Sequence, residues 1–505
     1  MTRSLPRPAA RHRPGLTARA LLAGMALALG ACATAVNPVT GRTELTTMSP
    51  AREAQLGQQA AAQVEREIGL VRDPKLVGYV EAIGKRLAAE SPRRDVPYHF
   101  AVADMAEANA FALPGGFVYV SRGLVTMANS EDELANVIGH EIGHVAARHA
   151  AQRDTRATSV GLLSVLGTVA AAALGGPEAG RMVGQFGQVA GAGLIASYSR
   201  DQERQADEVG QQISAAAGWD PAGMASFLYT LEREGQMRSG GVARQPGFLD
   251  SHPAAGERAV VAQQRARQLP QGAGAPIARS HAEFLRRIEG TLVGPDPREG
   301  VFRDERFLHP TLDFAMEFPR GWQTQNSRQA VGAMSPQRNA VVVLESQGAR
   351  EDPQQAARRW LAANRGVQIA ESGAGSIGGW PAYRAVGEAR TQQGTTALLL
   401  TWVAHPKSTF RITGMAQAGA WRANAAAFDR TASSLRPLTA AERKGIYGLR
   451  LGIVQARAGE TRTEVGRRTD NRWSLEQTAL ANALPREGRL EGGRLVKIAV
   501  PAPIQ

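Results

Sequence analysis

The stretch Val137–Gln152, VIGHEIGHVAARHAAQ, holds three of the chain's nine histidines within ten residues. How those imidazoles are read decides what the surrounding fold must do. His140 and His144 stand four residues apart, so at about 100° per residue their side chains lie about 40° from each other on one helical face. Both can therefore reach one ion. Glu141 sits beside His140 in HEIGH, the spacing in which two imidazoles hold zinc and the glutamate takes a proton from the attacking water. His149 is rotated to the far side of such a helix and is not expected to be a ligand. Nor is HExxHxxGxxH present, since Ala147 and Ala150 stand where its glycine and third histidine would be. The flanks agree with a helix: Ser130 is a plausible N-cap with Glu133 three residues on, acids open the stretch, and arginines follow toward Arg153.

A catalytic zinc takes three protein ligands and keeps one open position. Downstream, YSRDQERQADEVG (Tyr198–Gly210) supplies Glu203 and, four residues later on the same face, Asp207. Alone, an acidic helical stretch is a solvated face. Paired with HEIGH it matches the ExxxD pattern of the glutamate-ligand zincins. Glu203 then completes a His/His/Glu set, and Asp207 accepts the outer ring N–H of His140, fixing its tautomer. One zinc ion is the expected cofactor.

Composition sets the frame. At 505 residues, 43% hydrophobic and 21% charged, the chain can bury several cores. Arg3, Arg7, Arg11, Arg13 and Arg19 precede the apolar run LLAGMALALGA (Leu21–Ala31), the length of a signal h-region and too short to span a bilayer. LGAC, ending in Cys32, the only cysteine, resembles the lipobox of bacterial lipoproteins; residues 1–31 would be removed and Cys32 lipidated. Ala33 after the cysteine favours the outer membrane of a Gram-negative envelope. Removal takes five arginines and no acids from the formal charge of +13. The remaining positive charge is dispersed and aromatics are 5%, so no nucleic-acid platform is expected.

Five motifs occur in order: NPVTG (Asn37–Gly41), NAFALPGGFVYVSRGLV (Asn109–Val125), HEIGHVAARH, YSRDQERQAD and SHPAAGER (Ser251–Arg258). Together they resemble the zinc metallopeptidase family that includes HtpX and the CAAX prenyl endopeptidase, in its periplasmic lipoprotein branch. The resemblance implies an α+β chain whose residues 32–275 form a mainly helical gluzincin-type metallopeptidase domain with a small edge-strand sheet. It implies an endopeptidase, with Glu141 as proton acceptor, acting on misfolded or misassembled periplasmic and outer-membrane proteins. Zincins place an edge strand above the metal, so Phe117, Val118, Tyr119 and Val120 are expected to pair with extended substrate. His252 either occupies zinc's open position in a resting state or stabilises the oxyanion, with Tyr198 a weaker candidate for the second role. The alternative is a non-proteolytic, chaperone-like or peptidoglycan-binding envelope lipoprotein with a structural zinc site; it has no use for Glu141.

The other segments carry less chemistry. Ala157–Pro177 is uncharged and long enough to span a membrane, but its Ala, Gly, Ser and Thr content reads as a buried hairpin or a mobile element over the site. Residues 276–300 read as a helix and linker. Residues 301–437 alternate short strands with two helices, an α+β sandwich-like domain faintly resembling PsbP-like proteins. Residues 447–501 resemble a lysin motif, which implies peptidoglycan as a further partner.

Overall fold

The computed structural model describes residues 33–46, 48–153, 198–238, 247–391, 394–485 and 487–504. Residues 1–31, read from the sequence as a signal segment, Cys32 and the stretch 157–177 lie outside these residues. Among the described residues no helix is long and apolar enough to cross a membrane.

The hairpin β1 (Ala33–Val36) and β2 (Thr43–Thr46) is followed by α1 (Pro50–Glu67) and α2 (Pro74–Ala88). Ser49 and Asp73 cap these helices ahead of an opening proline. A small sheet follows, of β3 (His99–Ala103), β4 (Ala110–Leu113) and β5 (Phe117–Ser121), and the short α3 (Arg122–Met127) leads into α4 (Glu131–Ala146), which carries HEIGH. The Ser130 hydroxyl accepts from the Glu133 N–H at 3.1 Å, the cap expected from the sequence. Every residue of α4 except Asp132 is buried. It is a core helix, packed against α5 (Arg200–Ala216) and α6 (Gly223–Arg238). The approach of α5 is backbone to backbone: a Cβ on Gly143 would lie 2.9 Å from the Ala206 carbonyl oxygen, and one on Gly210 only 2.6 Å from the His140 nitrogen. Glycine on both helices is what lets their side chains meet at one point.

Both ends of α4 are tied down. At its start, buried Glu131 accepts from Tyr79 Oη, from Trp219 Nε1 at 2.7 Å, and from the backbone N–H groups of Ile277 and Ala278. At its end, Asn37 Nδ2 donates to the Ala147 carbonyl and Arg93 Nη1 to that of Val145, each at 3.2 Å, serving carbonyls that a helix terminus leaves open. Arg93 and Arg148 both pair with buried Glu53. The NPVTG motif therefore has a structural use: Asn37 Oδ1 shapes the turn by accepting from Val39 N–H at 2.9 Å, while its amide closes the metal-site helix.

The expected edge strand is corrected. β5 is the central strand of its sheet, parallel to β3 on one side and antiparallel to β4 on the other. Phe117, Val118, Tyr119 and Val120 thus have their backbone groups engaged and offer a substrate no edge. Gly115 and Gly116, at φ 76° and 92°, turn β5 back alongside β4 instead of leaving it outermost. Beyond β3 run Gly69–Val71, with Val71 N–H bonded to the Val102 carbonyl at 2.9 Å. Among the described residues no strand pairs with the outer edge of β4.

After α7 (Phe248–Ser251) and α8 (Ala255–Ala266) come α9 (His281–Ile288) and β6 (Leu292–Val293). Although proline and glycine punctuate this region, Phe284, Leu285 and Ile288 of α9 belong to the same apolar core as α4.

The accessory part has a four-stranded and a seven-stranded sheet. β7 (Val301–Arg303), β8 (Arg306–His309), β9 (Phe314–Glu317) and β17 (Arg436–Pro437) form the first. The second contains β10 (Gln323–Asn326), β11 (Ala330–Met334), β12 (Ala340–Ser346), β13 (Val367–Ile377), β14 (Trp380–Thr391), β15 (Gly394–His405) and β16 (Ser408–Gln417), in the order β10-β11-β12-β16-β15-β14-β13. Helix α10 (Pro353–Ala363) lays Ala356 and Ala357 on Leu398, Leu400 and Trp402 of one face. Phe428 of α11 (Trp421–Ser433) and the smaller sheet's Phe307 and Phe314 cover the other. This is the α+β sandwich-like arrangement expected.

The C-terminal unit runs α12 (Ala440–Gly445), β18 (Gly448–Gln455), α13 (Arg462–Thr469), α14 (Leu475–Ala481) and β19 (Leu495–Ala502). It is built into the rest of the molecule. β18 pairs with β19 on one side and with β6 on the other. Lys497, 1% exposed, reaches from β19 to donate to the carbonyls of Thr126, Met127 and Ala128 at 3.0, 3.0 and 2.7 Å, at the end of α3 and just ahead of α4.

Candidate metal centre

His140, His144, Glu203 and His252 are all buried and converge, each offering a donor atom within 4.8 Å of the others. His140 Nε2 and His144 Nε2 lie 3.0 Å apart, and Glu203 Oε1 and Oε2 lie 3.5 and 3.6 Å from His144 and His140 respectively. Burial pushes the His144 imidazole well below its ordinary range, against the pull of Glu203, so its lone pair is available. Burial alone would raise Glu203, but His252, His144 and His140 outweigh it and hold the carboxylate far below its usual range. Two imidazoles and one ionised carboxylate form a donor set that suits zinc.

The ligands are held from behind. His140 Nδ1 lies 2.9 Å from Asp207 Oδ1, the contact expected from the ExxxD spacing. Asp207 is in turn gripped by Arg258, whose Nε and Nη2 lie 2.8 and 2.7 Å from its two oxygens, while Arg258 Nη1 reaches Glu203 Oε2 at 2.5 Å. The SHPAAGER motif ends on Arg258, but its spacing gives that arginine no role. The helix reading also ran unbroken from Ser130 to Arg153. In the structure α4 stops at Ala146 and Arg148 takes φ 57°. His149 is thereby brought behind His144, with their Nδ1 atoms 2.8 Å apart. It is not among the four converging donors, in agreement with its exclusion as a ligand.

Glu141, 0% exposed, points into the same space. Neither of its oxygens accepts a hydrogen bond from the described residues, and His252 Nε2 is 3.5 Å from Oε1. Burial lifts its carboxyl above the ordinary range, partly offset by His252 and His140, as suits a proton acceptor. His252 Nδ1 lies 3.0 Å from Glu203 Oε1 and 3.2 Å from His140 Nε2, with Phe248 stacked on its ring. Tyr198 lies face-on to the His144 ring, centroids 3.7 Å apart. Asp207, Tyr198 and His252 are thus brought to the site with the three expected ligands, and Phe117–Val120 are not part of it.

Peptidase family M48 matches residues 74–266, which include every one of these side chains. The metalloprotease YcaL of Escherichia coli (strain K12) is 32% identical over 181 residues, covering 35% of this chain and 67% of that protein. The chain belongs to peptidase family M48. The beta-barrel assembly-enhancing protease of Yersinia pestis is 35% identical over 241 residues, covering 46% of this chain and 47% of that protein. The chain thus spans about half the length of such relatives. Among solved structures, the cyanobacterial PsbP (CyanoP) of Synechocystis sp. PCC 6803 aligns at 13% identity and a TM-score of 0.24, covering 27% of this chain and 95% of that one; a likeness at that score decides nothing. The M48 match stops before α9 and Lys497.

Proposed function

We propose that this M48 chain is a zinc-dependent endopeptidase of the bacterial cell envelope, cleaving misfolded or misassembled periplasmic and outer-membrane proteins. The observation that carries the reading is the meeting of His140, His144 and Glu203 beside a buried Glu141 whose oxygens accept no hydrogen bond from the described residues. Zinc, when bound, polarises a scissile carbonyl and acidifies an attacking water. Glu141 takes the water's proton on a carboxylate oxygen and passes it to the leaving amine. Asp207 and Arg258 keep His140 and Glu203 aimed at one point. The outer edge of β4, which lies against α4, is where an extended chain would align. That relatives bear the name beta-barrel assembly-enhancing protease supports outer-membrane β-barrel proteins as the substrate class. A structural zinc site would need the ligands but not Glu141, and burying an acid without hydrogen bonds is costly; this disfavours the non-proteolytic alternative.

The test is cleavage of unfolded casein by the full chain, with metal content measured in parallel. A chelator should abolish cleavage, and Glu203→Ala should lose both zinc and activity. A Glu203→Ala protein with full zinc occupancy would overturn the ligand set.

His252 is assigned as a plug of zinc's open position, because its Nδ1 already lies 3.0 to 3.2 Å from Glu203 and His140. His252→Ala should then raise basal casein cleavage with zinc retained. A fall of roughly a hundredfold would instead make it an oxyanion donor.

Residence in the periplasm at the outer membrane, through a lipid on Cys32, is part of the same reading, with the lysin-motif-like unit a candidate contact to peptidoglycan. Cys32→Ser should release the protein from the membrane fraction; unchanged fractionation would refute the anchor.

A further inference from the structure

We propose that His149 is a positioning residue for the ligand imidazole of His144: it accepts the outer N–H of that ring, and Gln205 fixes the tautomer in which it can do so. The proposal rests on the zinc reading of His140, His144 and Glu203. With His144 Nε2 turned toward His140 and Glu203, the proton of that neutral ring resides on Nδ1. Nδ1 lies 2.8 Å from His149 Nδ1. Two ring nitrogens this close share one proton, and since His144 supplies it, His149 Nδ1 is the acceptor. The proton of His149 itself is then on Nε2, 2.8 Å from Gln205 Oε1, a carbonyl oxygen that can only accept. Each link fixes the direction of the next.

The relay joins three places in the chain. His144 is on α4, His149 lies beyond the break at Arg148, and Gln205 is on α5 two residues after Glu203. A continuous helix would carry His149 away; the left-handed backbone at Arg148, φ 57°, returns it to the rear of His144. Gln205 couples the helix that supplies the two histidines to the helix that supplies the glutamate. The two imidazole ligands consequently have unlike supports: His140 faces the carboxylate of Asp207, which Arg258 anchors, while His144 faces the ring nitrogen of His149. Outer partners of this kind orient the ring and set its strength as a ligand.

The experiment measures zinc affinity of the full chain by competition with a chelator, and melting of the zinc-stripped chain. His149→Leu removes the acceptor, whereas His149→Asn restores one, because the asparagine Oδ1 stands near the position of the imidazole Nδ1. His149→Leu should weaken zinc by about 10- to 100-fold, and His149→Asn should bind close to wild type, with the two stripped proteins melting together. Packing alone would not distinguish them in this way. The proposal falls if His149→Leu binds zinc like wild type while His144→Ala loses it, or if His149→Asn loses as much as His149→Leu. Should His149→Leu not fold, Gln205→Leu, at a partly exposed position, decides the matter: a smaller loss in the same direction supports the relay and unchanged affinity overturns it. If His144→Ala keeps its zinc, the ligand reading fails, and this proposal with it.

Discussion

Glu141→Gln is expected to keep full zinc content and to cut turnover of unfolded casein by about 10²- to 10⁴-fold. The side chain is completely buried and its oxygens accept no hydrogen bond from the described residues, so it contributes little to the fold that an amide would lose. An amide is also less costly to bury than a carboxylate, and the variant should melt no lower than wild type. What the substitution removes is the carboxylate that can accept a proton beside the ligand set, and His252 Nε2 is 3.5 Å from Glu141 Oε1. Turnover close to wild type in a zinc-loaded Glu141→Gln protein would show that the base is not Glu141.

Lys497→Met is expected to lower stability by about 1–3 kcal/mol, the usual loss when buried carbonyls are left without their donor. In a domain of this size that is a fall of several degrees in melting temperature. Three carbonyls at the end of α3 lose their donor, and Glu133, buried in the first turn of α4, loses a nearby cation. Burial pushes the Lys497 ammonium down to about 7, against the pull of Glu133, while an unfolded lysine titrates near 10.4. Between those values the unfolded chain binds the proton more tightly, so this group's part of the stability increases as pH rises through that window. The wild-type melting temperature should show that increase and the methionine variant should not. A variant that melts like wild type would mean that the C-terminal unit is not a buttress of the metal-site helix.

The metal site was largely legible in the sequence because its parts are local. HEIGH places His140, Glu141 and His144 within five residues, and helical rotation alone puts both imidazoles on one face. Glu203 and Asp207 repeat that logic four residues apart. Ser130 as the cap followed from the same stretch, whereas the burial of the ligand helix became visible only in the structure. His252 needed a family resemblance, because no local spacing ties it to residues 112 positions away.

The remainder depended on contacts between distant segments. β5 has the composition of an edge or a central strand equally, and only its pairing with both β3 and β4 shows that Phe117–Val120 are closed to substrate. Arg258 became part of the site because α8 packs beside α5, and His149 because the backbone reverses hand at Arg148. Lys497 reads as a solvated charge in a terminal strand until β19 is seen docked on α3. Helix periodicity and metal-ligand spacing act over one or two turns and are written in the chain. Which side chain stands behind a ligand, which strand edge stays open and which lysine is desolvated depend on how elements far apart in sequence pack, and that was decided by the tertiary structure.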